Sequence, residues 1–345
     1  MDSQLTELPI LRLALAGFTP AEQEIIGTAA AQVTEGLAWR FSASLSEADA
    51  VFINGRRIAP WQAGGVRIDS PTPGGPVVCI DLNDWQRPLA FSAPMAIAGM
   101  AGADSFDLLK PQSVGTVLTK FGGWLRPMAV QFWLASRIVK ERLDLVSSVY
   151  HISVDGRLQA VVSRRNGIGV LPIADPSRLA SAVWARRPTL ADEIPGHFVQ
   201  TALAEALWQY AMRTTRDLLP TYFRSGPIYW CRAPQLPQRM FRDSHLMIVR
   251  ELAHAPASYA DLGRRTGLSE TVLARDLAAL RLVGAVTQDR KQALRITPQP
   301  SGDPVQGSEA AKFRSHGTAP NPTFKGQGVA LGDKTAPAPL TPQSA

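Results

Sequence analysis

The densest chemistry in this chain lies between residues 264 and 291. Thr271 and Arg275 are four residues apart, so on a helix they share a face. A hydroxyl and a guanidinium placed there can meet base edges in a DNA major groove, the arginine preferring guanine. Glu270, Ala274 and Ala278 complete that expected outward face. Arg264, Arg265, Arg290 and Lys291 flank it as phosphate-neutralising cations, and Ser269, which caps the helix, joins them among the candidate DNA-contacting residues. A second constellation is Arg164-Arg165-Asn166-Gly167-Ile168-Gly169. Two guanidinium groups beside a glycine turn can clamp a phosphate or a cyclic nucleotide, with glycine backbone amides such as that of Gly167 adding donors; a solvated hairpin tip would look the same. A third group, Asn54, Ser92 and Lys110, stands at or just beyond the ends of apolar runs. Catalysis finds no such footing. The five histidines (His151, His197, His245, His254, His316) have no metal-ligand spacing, and Cys79 and Cys231 are far apart. There is no phosphate-binding Gly-rich loop with Lys-Ser/Thr, no Gly-x-Ser-x-Gly elbow and no His-Glu-x-x-His. An enzyme, a metal site and a cofactor are therefore not expected.

The elements that must position the first group can be read locally. A helix is expected over 245–254. A second starts behind Ser258, with Asp261 three residues on, and ends at Thr266-Gly267. Ser269 opens a third, with Val272, Leu273, Leu277 and Leu280 facing inward. After Gly284, strands at 285–287 and 293–297 would flank the polar turn 288–292. The run Gly267-Leu268-Ser269-x-Thr271-Val272-x-x-Arg275-x-Leu277-x-x-Leu280-x-x-x-Gly284-x-Val286 resembles the winged helix-turn-helix domains of bacterial regulators. The resemblance covers about 50 residues and implies that the third helix enters the major groove while the 288–292 wing touches backbone or minor groove.

The front of the chain alternates between strands and helices. Strands are expected at 11–16, 38–42, 50–53, 77–82 and 88–91, and a helix opens at Thr19-Pro20 with Ile25, Ile26, Ala29 and Val33 buried. This rhythm predicts a doubly wound parallel sheet. The segment Gly102-Ala103-Asp104-Ser105-Phe106-Asp107-Leu108-Leu109-Lys110-Pro111 is similar to the stretch ending in Lys-Pro of two-component receiver domains. In that resemblance Ser92 matches the hydroxyl-bearing switch residue, and Asn54 falls where the phosphate-accepting aspartate would be. A working receiver needs a carboxylate pair after its first strand to hold Mg²⁺. This chain has Ala16-Gly17 there, and an asparagine cannot accept a phosphoryl group. The resemblance therefore implies a degenerate, phosphorylation-incompetent receiver.

The remaining regions are read from composition and periodicity. A helix over 127–146, hairpin strands at 150–154, 158–163 and 168–173, a helix after Asp175-Pro176, a longer one over 197–219 and a strand at 226–232 predict a small antiparallel sheet packed on helices. Beyond residue 298 the chain is rich in Pro, Gly, Ser, Thr, Ala and Gln, the composition of a disordered tail. The fold class is thus multidomain α/β plus α+β, divided as 1–123, 124–238, 239–297 and 298–345. No run of 18 apolar residues and no signal-peptide pattern exists, which predicts a cytoplasmic protein without a membrane partner.

Charge is uneven along the 345 residues. The total is +7, yet residues 1–123 carry −4 and residues 124–250 carry +8, nearly all of the latter arginine. An acidic front beside a basic middle favours either docking between the two or capture of an anionic partner. The winged-helix-like stretch is only +2, so tight DNA binding would need a homodimer or help from the basic middle. The expectation is a bacterial signalling or transcriptional regulator with DNA as partner. The alternatives are an adaptor that docks a signalling protein, favoured by a neutral recognition surface and a buried wing, and a nucleotide second-messenger receptor, favoured by arginines converging beside the 164–169 turn.

Overall fold

The computed structural model describes residues 7–33, 37–97 and 103–296, the side chains of 294–296 excepted. The expected tail from 298 onward lies outside the described residues. The front region runs β1 (Ile10–Ala16), α1 (Pro20–Ala31), β2 (Ala38–Ser42), β3 (Ala50–Ile53), β4 (Ile58–Trp61), β5 (Gly65–Ile68), β6 (Val78–Asp81), β7 (Leu89–Ala93) and β8 (Asp104–Asp107). A five-stranded, wholly parallel sheet forms in the order β2-β1-β3-β7-β8. Every residue of the central strand β3 is buried, as a parallel strand covered on both faces requires. α1 begins where its capping box dictates: the Glu22 amide donates to Thr19 Oγ1 at 3.3 Å, and the Thr19 amide donates back to Glu22 Oε2 at 2.7 Å.

One face of this sheet is covered by α1 and by α2 (Pro111–Glu141), through a cluster in which the Phe52 ring lies 4.4 Å from Phe106 and 5.7 Å from Phe121. The other face departs from the doubly wound expectation. Where a second layer of helices should lie, the antiparallel sheet β4-β5-β6 packs Ile58, Val66, Ile68 and Ile80 against Val51, Ile53 and Phe91. The strand expected at 77–82 is real, but it belongs to this covering sheet.

α2 corrects the boundary expected at 123/124. Gly122, Gly123 and Pro127 read as helix breakers, yet the helix continues through all three. Gly122 suits its place because a Cβ there would come within 3.0 Å of Leu37 Cδ1. The first half of α2 buries Val114, Leu118 and Phe121 in the front core, and the second half buries Val130, Phe132, Leu134 and Ile138 in the next.

That second core lies under an antiparallel five-stranded sheet: β9 (Val149–Val154), β10 (Arg157–Ser163), β11 (Gly167–Val170), β12 (Val183–Arg187) and β13 (Val199–Thr201), in the order β12-β9-β10-β11-β13. The two hairpins fall where Asp155-Gly156 and Asn166-Gly167 place them. The long helix expected over 197–219 is shorter: α3 spans Leu203–Arg213. Residues 199–201 pair with β11 instead, and beyond Arg213 the side chain of Glu7 takes the Thr214 hydroxyl and the Thr215 amide, pulling the chain out of helix.

The C-terminal part runs β14 (Pro227–Trp230), α4 (Asp243–His254), β15 (Ala257–Ser258), α5 (Tyr259–Thr266), α6 (Glu270–Leu282), β16 (Val286–Thr287) and α7 (Arg290–Ile296). Ser258 and Ser269 accept from the Asp261 and Val272 amides, and Gly267 takes φ +67° to end α5. The expected two-stranded wing is not formed. β16 pairs with β14, and residues 293–296, expected as the second strand, are helical in α7. The Asp289 carboxylate accepts the Lys291 amide at 2.8 Å and so favours the helical start. The core of this part holds Ile248, Leu262, Leu273, Leu277 and Leu280, and α3 adds Trp208 and Met212 to it.

Candidate functional site

α6 is the helix whose outer face was expected to read DNA. Glu270 and Thr271 are exposed, but Ala274 and Ala278 are buried, at 6% and 1% exposure. Arg275 is only partly exposed and donates through Nε to Asp276 Oδ1 at 3.2 Å. The cause is tertiary, since α3 packs along α6 and the β1–β2 end of the front sheet stands across from it. A cleft of about 660 Å³ remains between them, lined by Arg12, Arg40, Met212, Thr271, Ala274 and Arg275 among others. Such a volume suits a small molecule. It cannot admit a duplex, whose major groove alone is about 12 Å wide.

Behind Arg275 lies a buried polar group. Asp276 and His245 are both fully buried, with His245 Nε2 3.4 Å from Asp276 Oδ1 and the Trp208 ring 4.6 Å from the imidazole. His245 Nδ1 accepts the Arg242 amide at 3.0 Å, which leaves the ring proton on Nε2, facing the carboxylate. Burial alone would push the Asp276 carboxyl up. The Nε2–H of His245 facing it, helped by Ser244 and Arg275, outweighs that burial and holds the group below its ordinary value.

Arg264, Arg265, Arg290 and Lys291 are exposed and lie outside the cleft, on α5 and α7. Arg264 pairs with Asp261, and Arg265 stands 3.8 Å from Glu251.

At the front, the sheet brings two of the three receiver-like residues together. Asn54 follows β3 and Ser92 lies in β7, both buried at 1% exposure. Ser92 Oγ donates to Asn54 Oδ1 at 3.5 Å and accepts the Gly55 amide at 3.0 Å. The Asn54 amide donates to both oxygens of Glu22 at 3.3 Å, and its carbonyl accepts the Arg56 amide. Lys110 stays apart, exposed, with Nζ 3.6 Å from Asp107. Each polar atom of the Asn54 side chain is thus committed to a structural bond. Among the described residues no acidic cluster able to hold a metal ion is present.

Arg164 and Arg165 stand exposed at the β10–β11 turn, and among the described residues neither forms an ion pair. The Arg165 and Asn166 amides of this turn donate to Ser163 Oγ at 3.1 and 3.2 Å. Gly167 is needed for packing: at φ +80°, a Cβ there would lie 2.1 Å from the Thr201 carbonyl oxygen.

Sequence reasoning by motif missed the ionic seam that joins the front to the rest. Arg213 grips Asp49 with two hydrogen bonds, of 2.5 and 2.6 Å, and the pair is one-tenth exposed. Asp49 also accepts the Arg12 amide at 2.8 Å. Glu47 pairs with Arg242 at 3.0 Å and with Arg12 at 3.1 Å, and Glu7 with Arg216 at 2.9 Å. The signal was in the charge distribution. The three carboxylates come from the acidic front, and Arg213, Arg216 and Arg242 come from the basic middle. No protein-family model, characterised protein or solved structure matches this chain.

Proposed function

We propose that this protein is a signalling adaptor of the response-regulator kind. In this reading its receiver-like front does not take up a phosphoryl group, and its winged-helix-like module works by packing against protein instead of reading a major groove. The single observation that carries this is the burial of Ala274 and Ala278 on the would-be recognition face of α6, with Arg275 turned to Asp276. The parallel strand order and the Asn54–Ser92 contact support the receiver likeness. The loss of the acidic pair and the Glu22–Asn54 bonds speak against phosphoryl transfer. The near-neutral module and the missing second wing strand remove two further sources of DNA affinity.

The test is binding of the full-length protein to genomic DNA fragments across a salt series, beside an Arg275→Ala/Thr271→Ala variant. Weak, uniform binding that vanishes near physiological salt and ignores the substitutions is the expected result. Tight binding to a few fragments, lost in the variant, would sink the adaptor reading. It would support the second one, a DNA-binding regulator whose α6 is released by undocking, which the exposed Arg264, Arg265, Arg290 and Lys291 favour.

A further inference from the structure

The cleft beside α6 has a composition that docking alone does not require. Five arginines reach it, against the carboxylates of Asp217 and Glu270. Arg224 answers both of those carboxylates, Arg216 is held by Glu7, and Arg12, Arg40 and Arg275 remain. In the parallel pairing of β1 with β2, Arg12 and Arg40 are direct register partners, on strands about 4.8 Å apart. Like charges placed side by side in a sheet repel, so the arrangement is favourable only with an anion nearby. Arg12 has Glu47. Arg40 is exposed and has no acidic partner among the described residues. Arg275 uses only Nε on Asp276, so its terminal amino groups remain for another acceptor. Burial comes first in pushing the Arg12 guanidinium below its ordinary value, and the charges of Arg213 and Arg275 push the same way against Glu47 and Asp49. Arg40 thus stands in this cleft beside two other guanidinium groups with no carboxylate of its own among the described residues.

We propose that this cleft binds a small phosphorylated molecule of nucleotide size, its phosphate bridged by Arg12, Arg40 and Arg275 and its body resting on Met212, Ala274 and Ala278. A phosphate suits three guanidinium groups lining one cleft better than a carboxylate does, because it offers a dianion and several acceptor oxygens that match planar forks. The volume of about 660 Å³ lies in the range of small-ligand pockets and excludes a nucleic-acid strand in duplex form. The site is independent of whether α6 ever meets DNA.

The experiment is isothermal calorimetry of the full chain with AMP and with inorganic phosphate, on the native protein and three variants. The variants are Arg40→Gln, Arg275→Gln and, as control, Arg164→Gln/Arg165→Gln. The expected result is saturable binding of AMP, tighter than that of phosphate. It should weaken about tenfold or more in each cleft variant and stay unchanged in the control. Because Arg40 is exposed and holds no partner among the described residues, its variant keeps the fold, which circular dichroism verifies. The proposal is overturned if neither probe binds at millimolar concentration, or if both cleft variants bind as the native protein does. Equal loss in the control, or equal affinity for AMP and phosphate, overturns it too.

Discussion

Replacing Asp49 with alanine should cost far more than a surface substitution, and the structure says why. The carboxylate receives three hydrogen bonds, two from the Arg213 guanidinium and one from the Arg12 amide. Both members of the pair are about one-tenth exposed. Removing the acid leaves a largely buried guanidinium with only Gln209 Oε1 and the Ile10 carbonyl as acceptors, and strands one backbone amide. Breaking such a pair from one side costs about 3–5 kcal/mol. The double variant Asp49→Ala/Arg213→Met removes the orphaned charge as well and should recover part of the loss, giving a coupling of about 1–3 kcal/mol. Urea unfolding followed by tryptophan fluorescence measures all four corners of the cycle. The reasoning is refuted if Asp49→Ala costs less than about 1 kcal/mol, or if the two substitutions are additive.

Four other substitutions probe different parts of the molecule. Asp276, held below its ordinary pKa, contributes stability that is present above the unfolded-state value and is lost as pH falls through the folded one. Thermal melts should therefore show a loss below about pH 4 that Asp276→Asn makes smaller. Gly167→Ala should destabilise by at least about 2 kcal/mol, because φ is positive and the Thr201 carbonyl blocks the methyl; Gly156→Ala, also at positive φ but in open space, should cost about 1 kcal/mol, and chemical denaturation compares the two. Asn54→Asp puts a second carboxylate against Glu22, so it should lower stability by about 1–3 kcal/mol and remain unmodified by a small phosphodonor with Mg²⁺, as read by intact mass.

Local signals were read well where the physics is local. Thr19-Pro20, Ser258 and Ser269 placed three helix starts, since a side-chain oxygen and a free amide meet within one turn. Asp155-Gly156 placed a hairpin because both residues accept the positive φ, 49° and 72°, that its turn needs. What escaped depended on partners distant in sequence. Residues 293–296 form a short, partly apolar segment that suits either strand or helix, and the presence of β14 beside β16 supplied the pairing a wing would have provided. Gly122, Gly123 and Pro127 argue against a helix by propensity, and burial against two cores overrides them. For the site, Thr271 and Arg275 were correctly placed on one helix, but the sequence could not reveal that α3 and the front sheet face that helix. Arg40 carried no motif at all; its importance comes from standing opposite Arg12 in register.

The unbroken run of α2 has a consequence for how the molecule comes apart. Its 31 residues make a rod of about 46 Å, and each half is a wall of a different core. Fraying from either end strips side chains from one core and shortens the rod that the other depends on. The front and middle therefore share their cooperativity. The expectation is one melting transition for both, and a fragment cut at residue 123 should lose its sheet along with its helix.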